Sequence, residues 1–203
     1  MTLDRLSSFG HRLVKPGVSV ALKLNLTPNQ ISVISLSLAV VSAVGFYLGQ
    51  PITYVLGSLL VALNGLLDVL DGELAREMGI ESKRGDFLDH VFDRYADMII
   101  LVGIIAGIDR WFLGFLAFSG VILTSYMGTQ AQAVGGGREY GGLIGRADRL
   151  VIIFVAGILQ AVIPELPVYT LTVQPLEAVL VLFALVGHFT AVQRFVLTWR
   201  DLS

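Results

Sequence analysis

The sequence predicts an all-α integral membrane protein of one domain, residues 1–203: an amphipathic interfacial helix over residues 1–25, then a six-helix transmembrane bundle over 26–203. Three observations predict it. Hydrophobic residues make up 55% of the chain against 15% charged, and the mean hydropathy is +0.76, outside the balance of a water-soluble domain. Residues 24–67 contain no Asp, Glu, Lys or Arg over 44 positions, room for two spans of about 20 residues. The cations are one-sided: with both termini cytoplasmic, Arg110 alone of the 14 Lys and Arg falls on the opposite face, as expected because short cytoplasmic loops accumulate them. An odd number of spans would break that division. The net charge of -2 argues against a general nucleic-acid binder. The absence of cysteine excludes disulfides, thiolate metal sites and cysteine nucleophiles.

Each element has its own signal. In residues 1–25 the apolar positions Leu3, Leu6, Val14, Val18 and Leu22 form one side, and Arg5, His11, Arg12 and Lys15 interrupt any signal peptide. The first span, residues 28–48, starts with Thr27 as N-cap and Pro28 as the first helical residue, where a missing N–H costs nothing. Gly49, Gln50 and Pro51 separate it from the second span, which begins near Ile52. The third runs over residues 87–108, the fourth over 111–132, the fifth over 150–163, and the sixth over 171–197 with Glu177 and His188 inside it.

Nine of the 16 acids fall between Asp68 and Asp97. Asp68 and Asp71 share a face at the cytoplasmic end of the second span; Asp89 and Asp93 share one near the start of the third. The short connection over residues 79–83 makes these two helices antiparallel neighbours, so four carboxylates converge. At membrane depth such a cluster requires a positive partner. An oxygen-only set of this kind suits Mg²⁺ or Mn²⁺, or Ca²⁺, rather than zinc, and a pair of ions can clamp a diphosphate. Gly72, Ala75 and Gly85 lack bulk where a substrate would approach backbone, and Arg76 can pair with phosphate. Salt bridges to Arg76, Lys83, Arg84 and Arg94 would account for the acids but not for the small residues at fixed places. Asp97 extends the stripe and is read as a structural partner, of Arg94 for example; Asn64, one turn before Asp68, is read first as an internal hydrogen bond and second as support for a metal-bound water.

Together Asp68, Asp71-Gly72, Ala75-Arg76, Gly85, Asp89 and Asp93 spell D-x2-D-G-x2-A-R-x8-G-x3-D-x3-D without a departure. This motif resembles that of the CDP-alcohol phosphotransferase family. The resemblance implies transfer of a phosphatidyl- or archaetidyl-type group from a CDP-linked lipid to a small alcohol, with release of CMP and two divalent ions at the four aspartates. Carried over residue by residue, Asp68, Asp71, Asp89 and Asp93 are metal ligands, Asp93 is also the general base, and Gly72, Ala75, Arg76 and Gly85 contact CDP. It further implies a homodimer in the cytoplasmic membrane, with the site facing the cytoplasm. The Leu26-Thr27-Pro28-Asn29 segment is similar to archaeal members, which points to a CDP-archaeol type of donor.

On the acceptor side, residues 135–149 combine six glycines with Arg138, Arg146 and Arg149. Arg146 and Arg149, with Arg194 joining them, are the candidate clamp for a phosphorylated acceptor; Arg138 is read as an ordinary loop cation. Residues 125–132 lack the Arg and Lys that relatives using inositol phosphate commonly carry, which leaves glycerol phosphate and inositol phosphate both open, with serine less favoured. Two other classes fit the spacing less well. An intramembrane prenyltransferase would separate its acidic motifs more widely than Asp71 and Asp89, and a cation transporter would place carboxylates nearer midplane.

Overall fold

The computed structural model describes residues 4–135, 142–168 and 171–202. Its element order is α1 (Asp4–Lys23), α2 (Pro28–Leu48), α3 (Pro51–Glu77), α4 (Lys83–Ile108), α5 (Trp111–Ala133), α6 (Arg146–Val162), β1 (Leu166–Val168), β2 (Leu171–Val173) and α7 (Pro175–Asp201). Among the described residues, α2, α3, α5 and α7 are long and apolar enough to cross a membrane. Charges over the first half of α4 and the 17-residue length of α6 keep these two outside that group.

The helix ends follow from local chemistry. Thr27 Oγ1 accepts from the Gln30 amide at 3.4 Å while Gln30 Oε1 accepts from the Thr27 amide at 2.8 Å, a capping box closing the start of α2. Gly49, at φ 66°, ends that helix, and Pro51 starts the next. α3 stops where Gly79 takes φ 63°, with the Gly79 amide donating to Arg76 O and the Ile80 amide to Ala75 O, both at 3.1 Å. That is a Schellman ending. Ser82 Oγ then accepts from the Gly85 amide at 3.1 Å and opens α4.

Two expectations need correction. The sixth apolar stretch is not helical from residue 171: Leu171–Val173 pairs antiparallel with Leu166–Val168, and α7 begins only at Pro175. An uncharged run looks the same in sequence whether it starts as a strand or a helix. In α1 the buried side is Val14, Val18 and Ala21, whereas Leu22 faces outward at 40% exposure, because positions four and seven after Val14 share its face. Leu3 and the side chain of Leu6 lie outside the described part.

One core joins α2 to α7 around Phe46, Val61, Ile100, Ile104, Leu176, Leu180 and Phe183; a smaller cluster seats Val18 and Ala21 of α1 on Ile31 and Leu74. Outward faces carry large apolar residues such as Val41, Leu56, Phe112, Phe115 and Leu185, while Ser42, Ser58, Thr124 and Gln160 are buried. This is the distribution of a bundle that meets lipid outside and joins its helices through small and polar residues inside. Ser42 Oγ donates to Gly57 O at 2.8 Å across α2 and α3, and Thr124 Oγ1 to Gly187 O at 2.8 Å across α5 and α7. A Cβ on Gly103 of α4 would collide with the Ala43 backbone of α2, and one on Gly187 would meet Gly120 at 2.7 Å.

Candidate functional site

α3 and α4 do not press against one another along their lengths. Each packs on α2, and their acidic ends face across a pocket lined by Ser32, Asn64, Asp68, Asp71, Asp89, Asp93 and Arg146. The neighbouring helices expected from the short connection are therefore held apart, with α2 as the shared wall and a gap between them of about the size of a water or an ion.

Asp71 is 5% exposed and accepts from Ser32 Oγ at 2.5 Å. Asp93 and Asp68 are more open and share a cation: Arg146 Nη1 lies 2.7 Å from Asp68 Oδ2 and 3.0 Å from Asp93 Oδ1. The same guanidinium reaches Asp97 Oδ1 through Nε at 3.2 Å. On α4, one ligand atom from each of Asp89, His90 and Asp93 lies within 4.8 Å of the others. The four motif aspartates are thus brought to one pocket. Arg146, from the first turn of the distant α6, is the cation that meets them there.

Asp97 stands one turn deeper, 6% exposed, and is held by Arg149 Nη2 at 2.6 Å, Arg94 Nη1 at 3.3 Å and Arg146. A carboxylate so buried and so fully paired has the geometry of a strut joining α4 to α6. Arg149, 8% exposed, points into this pair and lines a second pocket with Thr124, Ile144 and Thr190. Arg194 Nη1 donates to Thr124 O at 2.7 Å beside that pocket. Arg138 lies outside the described residues.

Gly72 is exposed, and a Cβ there would meet nothing nearer than Arg76 Nη2 at 3.9 Å. Arg76 pairs with Glu73 at 2.7 Å and is half exposed. Gly85 lies in the first turn of α4, where an added Cβ would meet Ser82 Oγ at 3.3 Å. Gly72 and Arg76 follow Asp71 on α3, and Gly85 precedes Asp89 by one turn on α4; none of the three lines the acidic pocket itself.

Sequence reasoning did not find Ser32, His90, or the reach of Arg146 to Asp68 and Asp93. His90 lies inside the D-x3-D spacing and was the one with a readable signal. Ser32 and Arg146 become partners only once α2 and α6 fold against α3.

The donor set fits a hard divalent ion: four carboxylates come together, and the amide oxygen of Asn64, in the same pocket, is buried with no hydrogen-bond partner among the described residues. Buried acceptors are normally satisfied, and a hydrated cation brings the donors.

A helical bundle with this acid-lined mouth is that of a membrane phosphotransferase. Residues 25–199 match the sequence model of the CDP-alcohol phosphatidyltransferase family, and the chain belongs to that family. It is accordingly a phosphotransferase of phospholipid synthesis. Among similar proteins, archaetidylinositol phosphate synthase of Pyrococcus horikoshii is 39% identical over 140 residues, covering 68% of this chain and 73% of that one. The enzyme of the same name from Methanothermobacter thermautotrophicus is 32% identical over 185 residues, 91% of this chain and 89% of its own. The crystal structure of Mycobacterium tuberculosis phosphatidylinositol phosphate synthase with CDP-DAG bound superposes with a TM-score of 0.78 at 26% identity, covering 93% of this chain and 94% of that one. Another structure of that enzyme contains manganese and citrate.

Proposed function

We propose that this enzyme transfers an archaetidyl- or phosphatidyl-type group from a CDP-linked lipid to inositol phosphate and releases CMP. The observation that carries the reading is the pocket in which Asp68, Asp71, Asp89 and Asp93 meet. Inositol phosphate is preferred over glycerol phosphate because two relatives, 39% and 32% identical over 68% and 91% of this chain, are named for an inositol phosphate product. The bare end of α5 at residues 125–132 speaks the other way, and the arginines of α6 and α7 supply the positive charge instead.

Two divalent ions, Mg²⁺ or Mn²⁺, held by the four aspartates would neutralise the diphosphate and stabilise charge on the departing CMP. The residues of the chain do the rest. Gly72, Ala75, Arg76 and Gly85 seat the cytidine diphosphate. Asp93 accepts the proton of the acceptor hydroxyl; the freed oxygen attacks the lipid-side phosphorus, the bond to the bridging oxygen breaks, and CMP leaves with that oxygen. Arg146, Arg149 and Arg194 hold the acceptor phosphate on the α6 and α7 side of the pocket. Six spans, both termini and the acidic mouth on the cytoplasmic side of the cell membrane, α1 lying in the interface and a homodimer complete the reading. It rests on the one-sided cations and the family resemblance.

The test is CMP release by the purified protein in detergent, with CDP-archaeol or CDP-diacylglycerol and a divalent metal, across inositol phosphate, both stereoisomers of glycerol phosphate, and serine. Metal-dependent release with inositol phosphate is expected. Release with glycerol phosphate alone would replace the acceptor while leaving the class intact.

A further inference from the structure

Asn64 is 1% exposed and lies one turn before Asp68 on α3. Its Nδ2 donates to Ser35 O at 3.0 Å and to Ser35 Oγ at 2.9 Å, while Ser35 Oγ donates to the Asn64 backbone carbonyl at 3.1 Å. These bonds settle which way the amide points. A carbonyl only accepts, so the nitrogen must face Ser35 and Oδ1 must face away from it. Oδ1 is buried without a partner among the described residues, in a side chain that lines the pocket of the four aspartates.

An unpaired buried acceptor carries the full cost of its lost hydration, and the two bonds to Ser35 use only the nitrogen of the amide. Helix packing accounts for the nitrogen and leaves the oxygen over. The neighbouring pair works the same way: Ser32, one turn before Ser35 on α2, fixes Asp71 by its 2.5 Å bond. Ser32 and Ser35 thus form a short rail on α2, and each orients one oxygen-bearing side chain of α3 in the pocket.

We propose that Asn64 Oδ1 is part of the metal site, accepting a hydrogen bond from a water on the divalent ion held by Asp68 and Asp71. The inference rests on the reading that the aspartates hold such ions. Magnesium and manganese keep several of their waters in protein sites, and the carboxylate oxygens that ligate the ion have fewer lone pairs left for the protons of those waters. A neutral acceptor fixed from behind meets that need without adding charge. Asn64 acts here as a positioning residue, and Ser35 is its anchor.

The experiment is Mn²⁺ titration of the full chain in detergent, without substrate, followed by electron paramagnetic resonance, with a thermal melt of each variant. Asn64→Leu keeps the volume and removes the oxygen. Its Mn²⁺ affinity should fall by about 10–100-fold, the usual effect of losing a partner of the metal's immediate ligands, while its melting temperature falls only by what the two lost Ser35 bonds contribute. Parent-like Mn²⁺ affinity in Asn64→Leu would overturn the proposal. Should that variant fail to fold, Ser35→Ala decides: it loosens the amide while leaving its oxygen in place and should weaken Mn²⁺ binding several-fold, and parent-like affinity counts against the role. No Mn²⁺ binding by the parent protein would instead remove the metal reading itself, and this inference with it.

Discussion

Gly72 and Gly103 both sit inside long helices, where glycine is less favourable than alanine by about 0.5–1 kcal/mol, yet a methyl group added at each would meet different surroundings. At Gly103 it would run into the backbone of Ala43, so the absence of a side chain is what lets α4 lie against α2. At Gly72 the nearest atom is the movable end of Arg76, 3.9 Å away, and no neighbouring helix requires the gap. The middle of the bundle spends its small residues on packing. The acidic end leaves its own open, and the residue type alone does not tell the two uses apart.

If that contrast holds, changes at the acidic end should remove chemistry and spare the fold, and changes in the middle should do the reverse. The largest effect is expected from Asp93→Asn, with CMP release down by at least about 10²–10⁴-fold and both melting temperature and CDP-lipid binding close to the parent; near-normal turnover would remove Asp93 as the base. Arg149→Ala probes the exception, a buried residue near the mouth. Stranding a buried charge costs up to about 3–5 kcal/mol, less here because Arg94 and Arg146 still hold Asp97, so the melting temperature should fall and the apparent KM for the acceptor should rise with it. Gly103→Val belongs to the middle and should cost about 1–3 kcal/mol through overpacking, read as a lower melting temperature and poorer monodispersity on size exclusion. Arg146→Ala should raise the apparent KM for the acceptor by about tenfold, the weight of a charge-assisted hydrogen bond, and that for CDP-lipid much less; equal shifts would detach Arg146 from the acceptor. Smallest is Gly72→Ala: stability equal to the parent or higher by about 0.5–1 kcal/mol, with a several-fold rise in KM for CDP-lipid. A loss of stability there would erase the distinction between the two glycines.

Much of this was legible because it is local. Thr27 with Pro28, Gly49 with Pro51, and the uncharged run between them define α2 and the start of α3, since caps and breakers act within a few residues. The spacing of Asp68, Asp71, Asp89 and Asp93 placed the acids on matching faces. What stayed hidden depends on neighbours distant in sequence. Arg146 follows a glycine-rich loop 53 residues after Asp93, and its ion pairs exist only after α6 docks on α3. The strand Leu171–Val173 is hidden because an uncharged run reads alike as strand or helix. The spacing between α3 and α4 is set by α2, which no count of residues in their connecting turn reveals.

The seating of α4 also has a mechanical side. Gly103 and Asp93 lie ten residues apart on one continuous helix, about 15 Å at ~1.5 Å per residue, so the crossing with Ala43 is a fulcrum and the aspartates ride on an arm that the Asp97 pairs brace against α6. A tilt of about 4° at the fulcrum displaces the carboxylates by about 1 Å, and misplacement on that scale can cost on the order of 10² in rate. Turnover is therefore a finer gauge of packing at the helix crossing than the melting temperature, and the tolerance of the chemistry is set by a glycine that never touches the substrate.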